Sequence, residues 1–183
     1  ADILLLTYQR AFIEMEEYGD FHDKAIWFPW WVPNELLDST TKVAFDERER
    51  GVLLTGRVSP SYPLRQHVHS MAGSIEGLAI HEHPGYGMRS ESNEFDFSEI
   101  HESYIGNLQS FQCSLQIGAR SPLDKYQLAK YFEIPACGSV LVATKSPHLE
   151  ELGFVPDENY IEIEESEILE SLPDLIDRVL GRD

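Results

Sequence analysis

The 183-residue chain carries 14 Lys and Arg against 32 Asp and Glu, a formal charge of -18. A surface of that sign excludes a broad nucleic-acid interface, which needs clustered cations, but leaves room for one small anion held by a few local donors. With 42% hydrophobic residues, the length suits one large domain, or one domain plus a piece of another.

Ala1 and Asp2 lead straight into Ile3 to Leu6. This reads as a buried strand cut from a larger protein, or as a processed or trimmed start. The run is too short to span a bilayer. Residues 10 to 22 read as irregular helix or loop. Ala25 to Phe28 is a second short strand, halted by the segment Pro29-Trp30-Trp31-Val32-Pro33. Trp27, Trp30 and Trp31 are expected to form an apolar stripe packing the first strands against the sheet. Thr40 to Arg50 is polar and reads as a linker or surface loop.

Gly51 to Thr55 is a buried strand ending at Gly56. Pro63 to Ala72 follows as a helix with Leu64, Val68 and Met71 at helical spacing and Pro63 in its first turn. Leu78 to His81 is a strand, and residues 84 to 95 form a loop. Asp96 or Ser98 is expected to cap a helix with Ile100, Tyr104, Leu108 and Phe111 on one stripe. Cys113 to Ile117 is a strand. Ser121 to Ala136 holds a loop and a helix with Leu128, Ala129 and Phe132 inward. Ser139 to Ala143 and Tyr160 to Ile163 are strands. Ser166 to Leu180 is helical, with Pro173 starting a second series of turns. The stretch from Asp157 to Glu170 reads as a solvated acidic face. Cys113 and Cys137 sit in apolar stretches and read as buried free thiols, compatible with a reducing compartment.

Strands alternating with helices predict a three-layer α/β, Rossmann-like domain with a parallel sheet. Ligands in such folds sit beyond the carboxyl ends of the strands, where strand order reverses. Two constellations fall at such ends. In the first, Thr55 to Arg65, Gly56 permits close approach, Arg57 offers a fork suited to a diphosphate, and Ser59 and Ser61 add donors. Arg65 faces either the same site or solvent. The alternative is a plain strand-loop-helix junction. The pattern contains neither GxGxxG nor a Walker loop. In the second, Lys125 to Gly138, Glu133 is placed to accept both hydroxyls of a ribose, or else to pair with Lys130 or face solvent. His81 and His83 alternate on a strand end without the further ligands of a zinc site. Ser98, His101 and Glu102 lack the elbow of a hydrolase.

The run Lys130-Tyr131-Phe132-Glu133-Ile134-Pro135-Ala136-Cys137-Gly138, with Ser139 to Ala143 and Leu149-Glu150-Glu151-Leu152-Gly153-Phe154, resembles the C-terminal, donor-binding domain of GT-B glycosyltransferases. The likeness is closest to the CgeB-like and group 1-like enzymes. The segments Thr55-Gly56-Arg57, Tyr62-Pro63-Leu64-Arg65, Phe28 to Pro33 and His83-Pro84-Gly85-Tyr86 have counterparts in order, so the resemblance covers about residues 25 to 183. It implies that residues 1–33 are a remnant of an N-terminal domain with the interdomain crossover, and that 34–183 bind a nucleotide sugar. The implied nucleotide-binding residues are Gly56, Arg57, Ser59, Tyr62, Arg65, Lys130, Glu133 and Gly138, the last keeping the turn tight between helix and strand. Arg57 and Lys130 would stabilise the leaving group, with no cofactor required. The donor would be a nucleoside-diphosphate sugar. The acceptor would be a hydroxyl of a glycan, lipid or small molecule, in the cytoplasm, with an N-terminal domain or partner chain completing the site. Family members with paired glutamates carry the second seven residues before the ribose carboxylate; here that position is Tyr126. The alternative is a module of the same lineage that binds without transferring. An unrelated doubly wound domain is the third reading.

Overall fold

The computed structural model describes residues 3–6, 23–29, 31–32, 34, 43–83, 97–118, 129–146 and 149–182, and side chains are not described at 4, 6, 27 and 97–101. Two short strands, β1 (Leu4–Leu6) and β2 (Ala25–Trp27), pair in parallel with Leu5 opposite Ile26. The main sheet holds β3 (Glu49–Leu54), β4 (Leu78–Ile80), β5 (Phe111–Gln116), β6 (Val140–Thr144) and β7 (Ile161–Ile163). Its order is β4-β3-β5-β6-β7 and every pairing is parallel. Among the described residues, four α-helices connect and cover it: α1 (Pro63–Met71), α2 (Phe97–Ser110), α3 (Lys130–Ala136) and α4 (Ile168–Leu180).

The strands are continuous apolar runs because both faces are covered. Val52, Leu54, Cys113, Leu115 and Val142 point to one side, where α1 contributes Val68 and α4 contributes Ile168, Leu172, Leu175 and Ile176. Leu53, Leu141 and Ala143 point to the other, against Ile105 and Leu108 of α2, Tyr131 and Ile134 of α3, and Cys137 just after it. The result is the expected three-layer, Rossmann-like α/β arrangement. Leu64 and Met71 of α1 join the first core beside Val68, as their helical spacing requires. Cys113 and Cys137 are free and buried, and burial raises their thiols to about 11 and about 12, so both stay protonated.

Several details differ from the sequence reading. Arg48 is buried rather than part of a surface loop: its guanidinium donates to the Cys137 carbonyl at 2.8 Å and to the Val43 carbonyl at 3.3 Å. It thereby closes the carboxyl end of α3, where carbonyls lack helical partners. Ser98 lies inside α2 and Phe111 opens β5, so the inward stripe of α2 is Ile105 and Leu108, with Tyr104 half-buried. In α3 the buried residues are Tyr131 and Ile134, with Phe132 packed at the margin. Pro173 sits inside α4; that helix keeps its register because its buried stripe, four residues deep in the core, outweighs one missing N–H. Of the three crossover tryptophans, Trp31 is 62% exposed instead of buried in a stripe, its ring meeting that of Phe28, 45% exposed, edge to face at 5.2 Å, while Val32 packs on the α2–α3 side; Trp30 and the Trp27 side chain lie outside the described residues.

The expected loop at 84–95, the segment 10–22, Asp96 and Leu128 lie outside the described residues. Among the described residues no helix is long and apolar enough to cross a membrane.

Candidate functional site

The chain runs from β3 to β4 on one side, then crosses to β5 on the other, so strand order reverses between β3 and β5. Their carboxyl ends, Leu54 and Gln116, mark a switch point of the kind at which open α/β sheets bind ligands. Among the described residues, side chains reach it from the turn after β3, the first residues of α1, the residues after β4, α2 and the first turn of α3.

Gly56 has φ 104°, a conformation closed to most residues, and a Cβ there would run into the Lys130 amine and come within 2.9 Å of the Arg65 guanidinium. The glycine therefore admits two cations against bare backbone. Arg65, in the first turn of α1, is buried and not solvent-facing. Its Nη1 donates to the Arg57 carbonyl at 2.9 Å and its Nη2 to the Ile117 carbonyl at 2.6 Å. One guanidinium thus ties the loop after β3 to the loop after β5 across the switch point. Tyr62 stacks under it, 4.1 Å from ring centre to Cζ. Arg57 itself is exposed, and Ser59 is half-buried, its carbonyl accepting from the Tyr62 amide at 2.8 Å.

Lys130 and Glu133 are three residues apart on α3 and share a face. The Lys130 amine donates to the Thr55 hydroxyl at 2.9 Å and lies 5.6 Å from the Tyr104 ring centre. Burial, with repulsion from Arg65, pulls it down from the ordinary lysine range to about 7, opposed by Glu133. Glu133 accepts a hydrogen bond from the Tyr104 hydroxyl through Oε2, 3.0 Å. Burial and the neighbouring carboxylate push the Tyr104 phenol far above its ordinary range, so it remains a donor.

His81 and His83 follow β4 along the same edge. The His81 Nδ1 lies 3.2 Å from the Asn107 amide nitrogen, and its ring 5.9 Å from that of Tyr104. Burial first and Lys130 second lower the affinity of both rings for a proton; Arg57 and Arg65 add to this at His83. Among the described residues no three His, Cys, Asp or Glu side chains converge as a metal site would need.

The structure therefore brings together Gly56, Arg57, Ser59, Tyr62, Arg65, Lys130 and Glu133. Gly138 is the exception. It precedes β6, at the amino end of a five-residue strand, on the order of 15 Å from the carboxyl edge. Its φ is 72°, and a Cβ would stand 2.6 Å from the Arg48 guanidinium, so its task is to let Arg48 close α3 and not to touch a nucleotide. Two residues of the site have no role assigned from the sequence, although Thr55 opens the first constellation. Thr55 reads there as the last residue of a buried strand, and Tyr104 as part of a helical core stripe. The available signal was the hydroxyl each carries at the end of an apolar run, since a buried Tyr or Thr hydroxyl needs a partner.

A scan against protein-family models finds no matching family, and a search of curated proteins finds no match.

Proposed function

We propose that the chain is the donor-binding domain of a glycosyltransferase, holding a nucleoside-diphosphate sugar at this site. The observation that carries the reading is the pairing of Lys130 and Glu133 on one face of α3, set against Thr55, Gly56, Arg57 and Arg65 at the switch point. Cations converge here in a chain of net charge -18, and a carboxylate stands about one helical turn from the buried amine. That spacing fits a phosphate beside Lys130 and a ribose diol beside Glu133. A carboxylate accepts from two hydroxyls at once, which neither a neutral amide nor a hydroxyl does as well.

On this reading the sugar leaves its diphosphate as negative charge grows on the leaving oxygen. Lys130, held by Thr55, and the exposed Arg57 offset that charge. The acceptor is a hydroxyl of a glycan, lipid or small molecule, brought by an N-terminal domain or partner chain. Two buried thiols in the free state suit a reducing, cytoplasmic setting. Tyr126, standing where paired-glutamate enzymes carry their other carboxylate, favours the second reading: a related module that binds the donor without transferring it.

Isothermal calorimetry with UDP, GDP, ADP, CMP and dTDP, each with and without Mg²⁺, tests the proposal. One diphosphate is expected to bind saturably, and Glu133→Ala to weaken it about 10- to 100-fold, the worth of a charge-assisted hydrogen bond. Equal affinity in the variant would sink the ribose assignment. A donor-hydrolysis assay on the same chain separates the two readings, since only the first allows turnover.

A further inference from the structure

Four side chains from three separate elements form two hydrogen-bonded pairs side by side at this switch point. Lys130 donates to the Thr55 hydroxyl at 2.9 Å. The Tyr104 phenol donates to Glu133 Oε2 at 3.0 Å. The direction of the second bond is fixed by chemistry, since a carboxylate only accepts and the surroundings of Tyr104 keep it a neutral phenol.

The consequence for Glu133 is geometric. A glutamate on a helix has three rotatable bonds, and a carboxylate free to turn offers a ribose only a fraction of its conformers. Tyr104 occupies one edge of Oε2 and so fixes the carboxylate plane, leaving Oε1 and the second lone pair of Oε2 for a ligand. The phenol is itself held: the Lys130 ammonium lies 5.6 Å from its ring centre and the His81 ring 5.9 Å away. Ile105 and Leu108, buried on the same helix, anchor its backbone.

We propose that Tyr104 is the positioning residue that gives this site its preference for a ribose over a 2′-deoxyribose, by aiming the Glu133 carboxylate at the sugar diol. This rests on the nucleotide-sugar reading above. Tyr104 acts through Glu133 and is not itself a ligand contact, so its loss should alter discrimination more than overall binding.

The test compares UDP with dUDP, GDP with dGDP and ADP with dADP by calorimetry, and inorganic pyrophosphate alone as a probe of the phosphate end. The wild-type chain is expected to prefer the ribonucleotide of one pair about 10-fold or more. Tyr104→Phe, which removes the hydroxyl and keeps the ring, should cut that preference at least threefold and leave pyrophosphate affinity within about twofold. Tyr104→Leu, which keeps apolar bulk without a hydroxyl, should lower the preference too, and serves if the first variant does not fold. A preference unchanged in both variants, or pyrophosphate affinity falling as far as nucleotide affinity, overturns the assignment of Tyr104 while the nucleotide site stands. A wild-type chain that binds both sugars equally removes the diol contact and the proposal with it. A chain that binds no nucleotide removes the underlying reading as well.

Discussion

Lys130 sets the pH behaviour of the site. With its amine held near 7 by burial and by Arg65, a bound diphosphate would stabilise the ammonium form, so affinity follows the protonated fraction. That fraction falls from about a half at pH 7 to about a tenth at pH 8. Affinity for a nucleoside-diphosphate sugar, whose diester diphosphate does not itself titrate here, is expected to drop about fivefold over that unit. Among the groups facing the amine, Tyr104 stays a phenol in this window, and His81 and His83, lowered below their ordinary range, are neutral. Calorimetry at pH 7.0 and 8.0 checks it, and a flat profile would take Lys130 out of contact with the ligand. The same shift has a sign for stability. The folded value lies below the unfolded one, so between about 7 and 10.5 the unfolded chain binds the extra proton and this group's contribution rises with pH. It is fully present above the unfolded value and lost as pH falls through 7. Lys130→Met should therefore raise the melting temperature at pH 6.5 more than at pH 9, and abolish diphosphate binding at both.

At the scale of the element, α3 is held at both ends. Lys130 fastens its first turn to Thr55, and Arg48 fastens its last to the chain before β3 through the Cys137 carbonyl. Gly138 makes the second attachment possible. Gly138→Ala would face a left-handed backbone worth about 1–2 kcal/mol against a side chain, and would displace Arg48 from a buried carbonyl worth about 1–3 kcal/mol. Urea unfolding is expected to show a loss of about 2–5 kcal/mol. Because Gly138 lies at the amino edge of the sheet, ligand affinity of the folded fraction should stay within about twofold of wild type. A variant of full stability that lost ligand binding would restore Gly138 to the site.

For the whole molecule, charge is unevenly spread: a strongly acidic chain concentrates Arg57, Arg65 and Lys130 at one edge. Salt should then act with opposite signs on stability and on binding. Raising sodium chloride from about 20 to about 300 mM should lift the melting temperature by a few degrees, as self-repulsion is screened, and weaken diphosphate affinity several-fold. Scanning calorimetry and titration on one sample check both. The architecture was readable because buried parallel strands are written as uninterrupted apolar runs between Gly and Pro, as at Gly51 to Thr55 and Ser139 to Ala143. The edge on which the site lies was readable for the same reason. What periodicity does not carry is depth. Arg48 and Arg65 are indistinguishable by type from exposed arginines, and only the fold reveals that backbone carbonyls from distant segments meet them. Tyr104 fell on the core stripe by spacing, and its hydroxyl reaches Glu133 only because α2 and α3 lie on the same face of the sheet.

The double anchoring of α3 turns seven residues into a ruler. The separation of cation from carboxylate is set by three residues of helical rise, and the ruler cannot slide while Thr55 and Arg48 grip its ends. Substitutions within it tune the site by degrees, but a single residue inserted between Lys130 and Glu133 would swing the carboxylate by about 100° around the axis. The segment is therefore far less tolerant of changes in length than of changes in composition, and any grafted or redesigned version must keep its residue count before its chemistry.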